Sequence, residues 1–339
     1  MEKPKIFLTG ATGLLGSHLL IELINDKKAV LALVRNIEKA SEVLQTTLSW
    51  YGLKANEMND YVRFVEGEIS DVDLISECLE GIEIVYHCAG LISLFNEDKW
   101  EMLKVNAEGT ANIVNCCMTQ SVKQLLYVSS VSTMNKGTGG EISEDLFTKE
   151  DTYLSAYAIS KRAGENEVWR GIEEGLNAVI VNPSVIIGPS EKETGTIALF
   201  YRIKNGMKYI TTGVTGYVDV RDVASICKQL ISKKIYGQRF IVSSENLSIQ
   251  YFAIKIAKKL NVNSEFKMAP FWLLRLITIG NGLRNFLTGK KHLLNSTALK
   301  LIENKSYYSN DKIVKVLNFK FYSIDEAIEN TITKLKLNS

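Results

Sequence analysis

Lys5-Ile6-Phe7-Leu8-Thr9-Gly10-Ala11-Thr12-Gly13-Leu14-Leu15-Gly16 is the stretch on which the reading of this chain turns. A short apolar run meets three glycines spaced three apart, and a segment with helical spacing of apolar residues follows at once. Strand, glycine turn and helix N-terminus in that order form a cradle for a pyrophosphate. Missing Cβ atoms let the backbone approach, while the free N–H groups and positive dipole end of the helix face the negative charge. Gly10, Thr12, Gly13, Leu14, Leu15 and Gly16 are therefore candidate cofactor-binding residues.

The same alternation continues outward from this turn. Short runs rich in Val, Ile, Leu and Tyr at 5–9, 30–34, 62–65, 84–87 and 124–129 have the length and composition of buried parallel strands. Helical spacing appears between them at 14–25, 74–79 and 100–118, and a further helix and strand follow at 156–174 and 178–182. Repeated strand–helix units imply an α/β fold, a doubly wound parallel sheet of the Rossmann type. Beyond Pro189 the pattern loosens into helical segments at 198–204, 220–231, 251–260 and 325–335. No repeat, low-complexity tract or proline-rich linker intervenes. The expectation is a mainly dinucleotide-binding part over 1–188 and a smaller C-terminal substrate lobe over 189–339, with segments interleaved.

Composition narrows the function classes. Forty Lys+Arg against 38 Asp+Glu leave a formal charge of +2, which argues against nucleic acid or anionic membrane as a partner. The first apolar run is too short for a secretory signal. Residues 271–287 come nearest to a membrane span, but Arg275 and Arg284 interrupt them. Cys78, Cys88, Cys116, Cys117 and Cys227 show no metal-ligand spacing and read as the reduced thiols of a cytoplasmic protein. His18, His87 and His292 share no such spacing either, so no metal is expected and each histidine reads as structural or solvated.

The end of the second strand bears on the cofactor. NAD enzymes of this architecture place an acid there for the ribose 2′-hydroxyl, whereas NADP enzymes supply a cation. Here the strand ends Leu33-Val34-Arg35-Asn36, with Lys39 nearby, and Arg35 can fork onto a 2′-phosphate. NADP(H) is expected in preference to NAD(H). Tyr157 and Lys161 lie four apart on a helix, so phenol and ammonium share a face. A nearby ammonium and an oxidised nicotinamide would lower the phenol's pKa and suit it to proton transfer. Tyr127-Val128-Ser129-Ser130-Val131-Ser132 supplies hydroxyls at a strand's C-terminal end, where such sheets bind ligand.

Taken together, Gly10-x-x-Gly13-x-x-Gly16, the serine-bearing strand end and Tyr157-x-x-x-Lys161 resemble the extended short-chain dehydrogenase/reductase family, within the NAD-dependent epimerase/dehydratase superfamily. The likeness is greatest to dihydroflavonol-4-reductase-like and 3β-hydroxysteroid-dehydrogenase-like members. It implies a catalytic role for Ser130, with Ser129 and Ser132 as alternatives, beside Tyr157 and Lys161. It also implies that Glu68 and Ile69 flank the adenine, although the family more often has Asp at the first position. Cys88, Ala89 and Gly90 would lie along the cofactor, and Asn106 near the nicotinamide. Val181-Asn182-Pro183 would wrap the nicotinamide, which places Pro183 among the cofactor contacts.

The resemblance further implies a homodimer through helices 100–118 and 156–174, with Leu103, Ile113, Val168 and Trp169 as apolar contacts. The expected partner is a small-molecule carbonyl substrate, a ketone or aldehyde. Apolar candidates on the substrate side (Leu91, Phe95, Met134, Tyr153 and Phe200) suit a hydrophobic molecule. A nucleotide-sugar epimerase and a non-catalytic NADP sensor remain as alternatives. Retention of Tyr157 and Lys161 weighs against the sensor.

Overall fold

A computed structural model describes residues 3–93, 95–134, 141–145, 155–191, 195–268 and 304–338. Tyr153, residues 271–287 and His292 lie outside them. The large sheet holds β1 Ile6–Thr9, β2 Val30–Val34, β3 Val62–Glu66, β4 Ile84–His87, β5 Gln124–Val128, β6 Ala178–Pro183 and β10 Gln238–Val242, ordered β10-β6-β5-β4-β1-β2-β3. Every pairing in it is parallel. The order reverses beside β1, and this leaves a crevice at the carboxyl ends of β1 and β4.

Strand side chains alternate between two apolar layers, as the period of two requires. Ile6, Leu8, Leu126, Val128, Val179 and Val181 face one layer, with helices α1 Leu14–Asn25, α2 Ile37–Trp50 and α9 Val220–Ser232. Phe7, Leu125, Tyr127, Ala178 and Ile180 face the other, with α4 Val72–Cys78, α6 Gly109–Thr119 and α7 Ala156–Glu173. Strand β3 carries Arg63 and Glu66 on exposed positions, as an edge strand should. Helix α2 lies in a stretch that the sequence reading did not assign. Its mostly polar surface needs only Ala40, Leu44, Thr47 and Leu48 to seat it.

The helix expected at 100–118 is interrupted. α5 Lys99–Leu103 passes through a π-helical turn, Lys104–Glu108, into α6. Such turns cluster at functional sites, and this one carries Asn106. Ile113 and Val168, two of the expected dimer contacts, are fully buried against the large sheet. Their helices direct those apolar positions inward, so they are not available to a second subunit.

A second, smaller group comprises β7 Val185–Ile187, α8 Gly195–Lys204, β9 Val214–Asp219, β11 Glu245–Ser248, α10 Ile249–Lys259 and α12 Ile324–Lys334, with its own apolar core. It is joined by the two-stranded pair of β8 Tyr209–Ile210 and β12 Lys267–Met268. The chain does not stay there: β10 returns to pair with β6, and α9 and α11 Asp311–Leu317 pack on the α1 side of the large sheet. Phe200 is fully buried in the smaller core against Phe252 (6.3 Å between ring centres), and Met134 is buried with Val131, Ile142, Ile241 and Tyr308. Neither lines a substrate surface, which corrects the expectation from composition. An apolar helix face satisfies a core as readily as a pocket. No helix among the described residues is long and apolar enough to cross a membrane.

Helix α7 reaches the sheet through Gly164. A Cβ there would overlap the Asn106 carbonyl oxygen and lie 2.5 Å from the Tyr127 hydroxyl. Gly164→Ala should destabilise the protein by roughly 1–3 kcal/mol, the usual cost of overpacking. A thermal melt checks this, and an unchanged Tm would show that the α7 seat is not tight.

Candidate active site

The glycine turn is shaped by what lies behind it. Gly10 has φ +73°, and a Cβ there would come within 2.6 Å of the Ala89 nitrogen and 2.7 Å of the Cys88 carbonyl carbon. A Cβ on Gly16 would overlap the Gly10 carbonyl oxygen, so α1 sits directly on the loop. The Gly13 N–H closes the turn onto Gly10 (2.9 Å). Helix α1 has no side-chain cap and no acid in its first turn, although Ser, Thr, Asp or Asn ordinarily fills that place. Its first N–H groups, at Leu14 and Leu15, are thus left for an anion beside Thr12, with Leu15 buried and Leu14 half-buried. This cradle fits the pyrophosphate of a dinucleotide.

A chain of hydrogen bonds ties the cradle to its neighbours. The Ala89 N–H donates to Thr9 Oγ1 (3.1 Å), and Thr110 Oγ1 donates to the Asn106 carbonyl (2.7 Å). Thr110 therefore accepts from His87 Nε2 (3.0 Å), which leaves Nδ1 to accept from Thr9 Oγ1 (2.7 Å). Burial pushes the His87 pKa down to about 3, so the imidazole stays neutral and structural. His18 is likewise neutral, pushed to about 4 by burial, and bridges the Leu14 carbonyl and Tyr51.

At the end of β2, Arg35 and Lys39 are exposed, and Asn36 caps α2 by accepting from the Lys39 N–H (2.8 Å). The structure adds a carboxylate that the sequence reading missed. Glu66, paired in register with Val34, accepts from the Ile37 N–H at 2.9 Å. No signal local to β2 could have found it, because it arrives from the next strand. Glu68 is exposed beyond β3, whereas the Ile69 side chain packs over Gly109 of α6 and its carbonyl accepts from Asn112. Cys88, Ala89 and Gly90 run along the mouth of the crevice, with the position of a Gly90 Cβ 3.4 Å from Lys161 Nζ.

Asn106 is used differently from the expectation. Its Oδ1 accepts from the Leu91 N–H (2.7 Å), and its Nδ2 donates to the Leu91 carbonyl and the Ser160 hydroxyl (both 2.9 Å). It is buried and fastens the loop after β4 to α7. Both amide protons are engaged with protein, so the side chain positions the site and has no donor left for a cofactor.

The candidate reacting groups converge at the carboxyl ends of β5 and β6, where Pro183 is buried. Ser130 is half-buried. Its hydroxyl oxygen accepts from the Ser132 N–H (3.1 Å), and the hydroxyl lies beside the Tyr157 phenol. Ser129 and Ser132 hydroxyls are sequestered without a partner among the described residues. Ser155 caps α7 by accepting from the Ala158 N–H, which starts the helix at Ala156, one residue before Tyr157. Burial pushes the Tyr157 phenol up to about 12, opposed by the neighbouring Ser130 hydroxyl. Burial thus dominates the phenol, and Lys161 alone does not produce the lowering expected of an ammonium together with an oxidised nicotinamide. Lys161 is buried and directs its ammonium to the Val128 carbonyl (2.7 Å), over the Tyr127 ring at 4.4 Å. Desolvation lowers Lys161 to about 8, with Glu165 and Cys88 opposing the drop.

These features agree with what the chain is similar to. A provisionally named dihydroflavonol 4-reductase of Synechocystis sp. is 27% identical over 335 residues, covering 96% of this chain and 93% of the relative. The 3β-hydroxysteroid dehydrogenase/Δ5→4-isomerase of Vaccinia virus is 24% identical over 295 residues, covering 80% and 84%. A UDP-glucose 4-epimerase of Thermotoga maritima has the same fold, with a TM-score of 0.75 at 18% identity over 98% of both chains. Residues 6–242 match the family model described as NAD dependent epimerase/dehydratase. With the glycine cradle, the seven-stranded parallel sheet and that match over most of its length, the chain belongs to the NAD dependent epimerase/dehydratase family.

Proposed function

We propose that the protein reduces a ketone or aldehyde on a hydrophobic small molecule, using NADPH, with Ser130 holding the carbonyl oxygen and Tyr157 protonating it. The observation that carries this reading is the convergence of the Ser130 hydroxyl and the Tyr157 phenol at the crevice, with buried Lys161 one helical turn along α7. The nicotinamide, when bound, supplies the hydride to the carbonyl carbon. The Ser130 oxygen accepts from the Ser132 N–H, and its one proton can turn from the phenol to a substrate oxygen. Tyr157 remains a neutral acid at pH 7 and gives its proton as negative charge develops on that oxygen, so C=O becomes CH–OH. The ammonium of Lys161, on the same helix face, offsets the phenolate left behind.

The relatives named as a reductase and a dehydrogenase support this chemistry, and half-buried Leu91, fastened to Asn106 beside the crevice, suits an apolar substrate. A nucleotide-sugar epimerase is the second reading, favoured by the fold shared with UDP-glucose 4-epimerase. NADPH oxidation followed against hydrophobic ketones, aldehydes and nucleotide sugars separates the two. Reduction confined to the ketones and aldehydes supports the first. Tightly retained nicotinamide with interconversion of sugars supports the second.

Cofactor preference rests on two opposed charges, Arg35 attracting a 2′-phosphate and Glu66 repelling it. NADPH should bind at least about tenfold more tightly than NADH, roughly 1.4 kcal/mol. Arg35→Asp should erase that preference, and Glu66→Gln should widen it. Fluorescence titration of each variant reads both, and equal affinities in the unaltered protein would count against NADP(H).

Three variants test the centre. Tyr157→Phe should cut turnover by roughly 10²–10⁴, the usual contribution of a general acid, while NADPH still binds. Lys161→Met should damage both turnover and binding, because its ammonium would also hydrogen-bond the nicotinamide ribose. Ser130→Ala should lower turnover alone. A folded Tyr157→Phe enzyme with undiminished reduction would refute the assignment. The pH dependence has a defined sign. Lys161 is charged below a pKa of about 8 and neutral above it, whereas Tyr157 holds its proton up to about 12. NADPH affinity should therefore be full near pH 6.5 and fall as pH rises through about 8.

A further inference from the structure

Glu165 lies one helical turn beyond Lys161 on α7 and takes no part in the chemistry above. It is 2% exposed, yet its carboxylate is well partnered. Oε1 accepts from Asn182 Nδ2 (2.5 Å) and Thr133 Oγ1 (2.8 Å), and Oε2 faces Arg239 Nη1 at 3.6 Å. These partners come from three separate places: the turn after β5, strand β6 and strand β10. Asn182 also reaches the Ser130 carbonyl (3.1 Å), and the Thr133 N–H donates to the same oxygen (3.1 Å). Arg162, also on α7, donates to the Thr133 carbonyl at 2.7 Å. The backbone that presents the Ser130 hydroxyl is thus gripped from behind by the helix that presents Tyr157.

Burying a carboxylate is costly unless every lone pair finds a donor, and well-packed apolar residues often serve stability as well or better. A carboxylate used here solves a different problem, the distance between two groups that must cooperate to within a fraction of an ångström. We propose that Glu165 is a positioning residue, which holds the Ser130 turn in register with Tyr157 and Lys161 through Thr133 and Asn182. This rests on the reading of those three residues as the reacting centre.

The same carboxylate faces Lys161 along the helix. The other groups around that ammonium are His87 and Cys88 at the end of β4 and the Tyr127 ring and Val128 carbonyl on β5. At neutral pH, His87, Cys88 and Tyr157 are uncharged, because burial moves each of them away from ionisation. Glu165 is then the formal negative charge that opposes desolvation of Lys161.

The test compares Glu165→Gln and Glu165→Asp with the unaltered protein. Its first readout is NADPH binding as a function of pH, and its second is turnover on whichever carbonyl compound is reduced. Glu165→Gln keeps an oxygen for Thr133 and Asn182 but removes the charge. It should bind NADPH normally near pH 6.5 and lose affinity at a lower pH than the unaltered protein. Glu165→Asp keeps the charge and shortens the reach. It should retain the pH midpoint for binding and lose turnover by roughly 10- to 10²-fold, the scale expected of a small misplacement, without a matching change in NADPH affinity. Superimposable pH curves for Glu165→Gln and unaltered turnover for Glu165→Asp, both with normal melts, would overturn the proposal. So would equal losses at every pH in both variants, which mark a purely structural role. If Glu165→Gln does not fold, the Glu165→Asp comparison alone decides. The binding arm needs no substrate, so a failure to find any carbonyl substrate would sink the proposed reaction without deciding the role of Glu165.

Discussion

The rest of the site depends on the contact between the Gly10 backbone and the end of β4. Two strand ends come so close there that no Cβ fits, and Ala89 donates to the Thr9 hydroxyl across the gap. The order of donors and acceptors then propagates through His87 and Thr110 to the Asn106 carbonyl in the π-helical turn. A phosphate cradle and a helix interruption, far apart in sequence, are thus held by one buried imidazole with a fixed tautomer. Burial makes that choice durable, since a proton gained by His87 would have to be carried without water.

Desolvation also governs Tyr157 and Lys161. Lys161 sits over an aromatic ring and against a carbonyl, and the loss of solvent pulls its pKa towards neutrality. The same loss of solvent keeps Tyr157 protonated. The ammonium and the phenol are therefore prepared separately: one by a buried carboxylate that supports its charge, the other by a serine hydroxyl that favours its ionised form. Simple adjacency of Tyr and Lys on a helix accounts for neither shift.

Return of the chain to the large sheet gives the site its second wall. Strand β10 pairs with β6 and carries Arg239, whose guanidinium donates to the Glu144 carbonyl while Glu144 accepts from the Ile241 N–H. Helix α9 packs on α1, and a Cβ on Gly188 would strike Val220 and lie 3.3 Å from Leu14. Segments on either side of the crevice are thereby braced against one another by β10 and α9, not by a flexible tether.

Local pattern was enough to locate β1, β2, β4, β5 and β6, because buried parallel strands are short, apolar and bounded by turns. It was also enough to mark the glycine cradle, whose strand, turn and helix are contiguous. It could not find α2, which exposes most of its surface, nor tell that Phe200, Ile113 and Val168 fill cores, since an apolar face looks the same wherever it is buried. Asn106 was visible as a residue near the site, but its partners Leu91 and Ser160 stand 15 and 54 positions away. Glu66 reaches the N-terminus of α2 from 29 positions away, and Glu165 meets Thr133 across 32. The sequence by itself determined the alternation of strand and helix, the cradle and the order of Ser130, Tyr157 and Lys161. Only the tertiary structure decided which polar groups pair and which are stripped of water, because hydrogen bonding and desolvation belong to neighbours in space, and those neighbours are set by the sheet order.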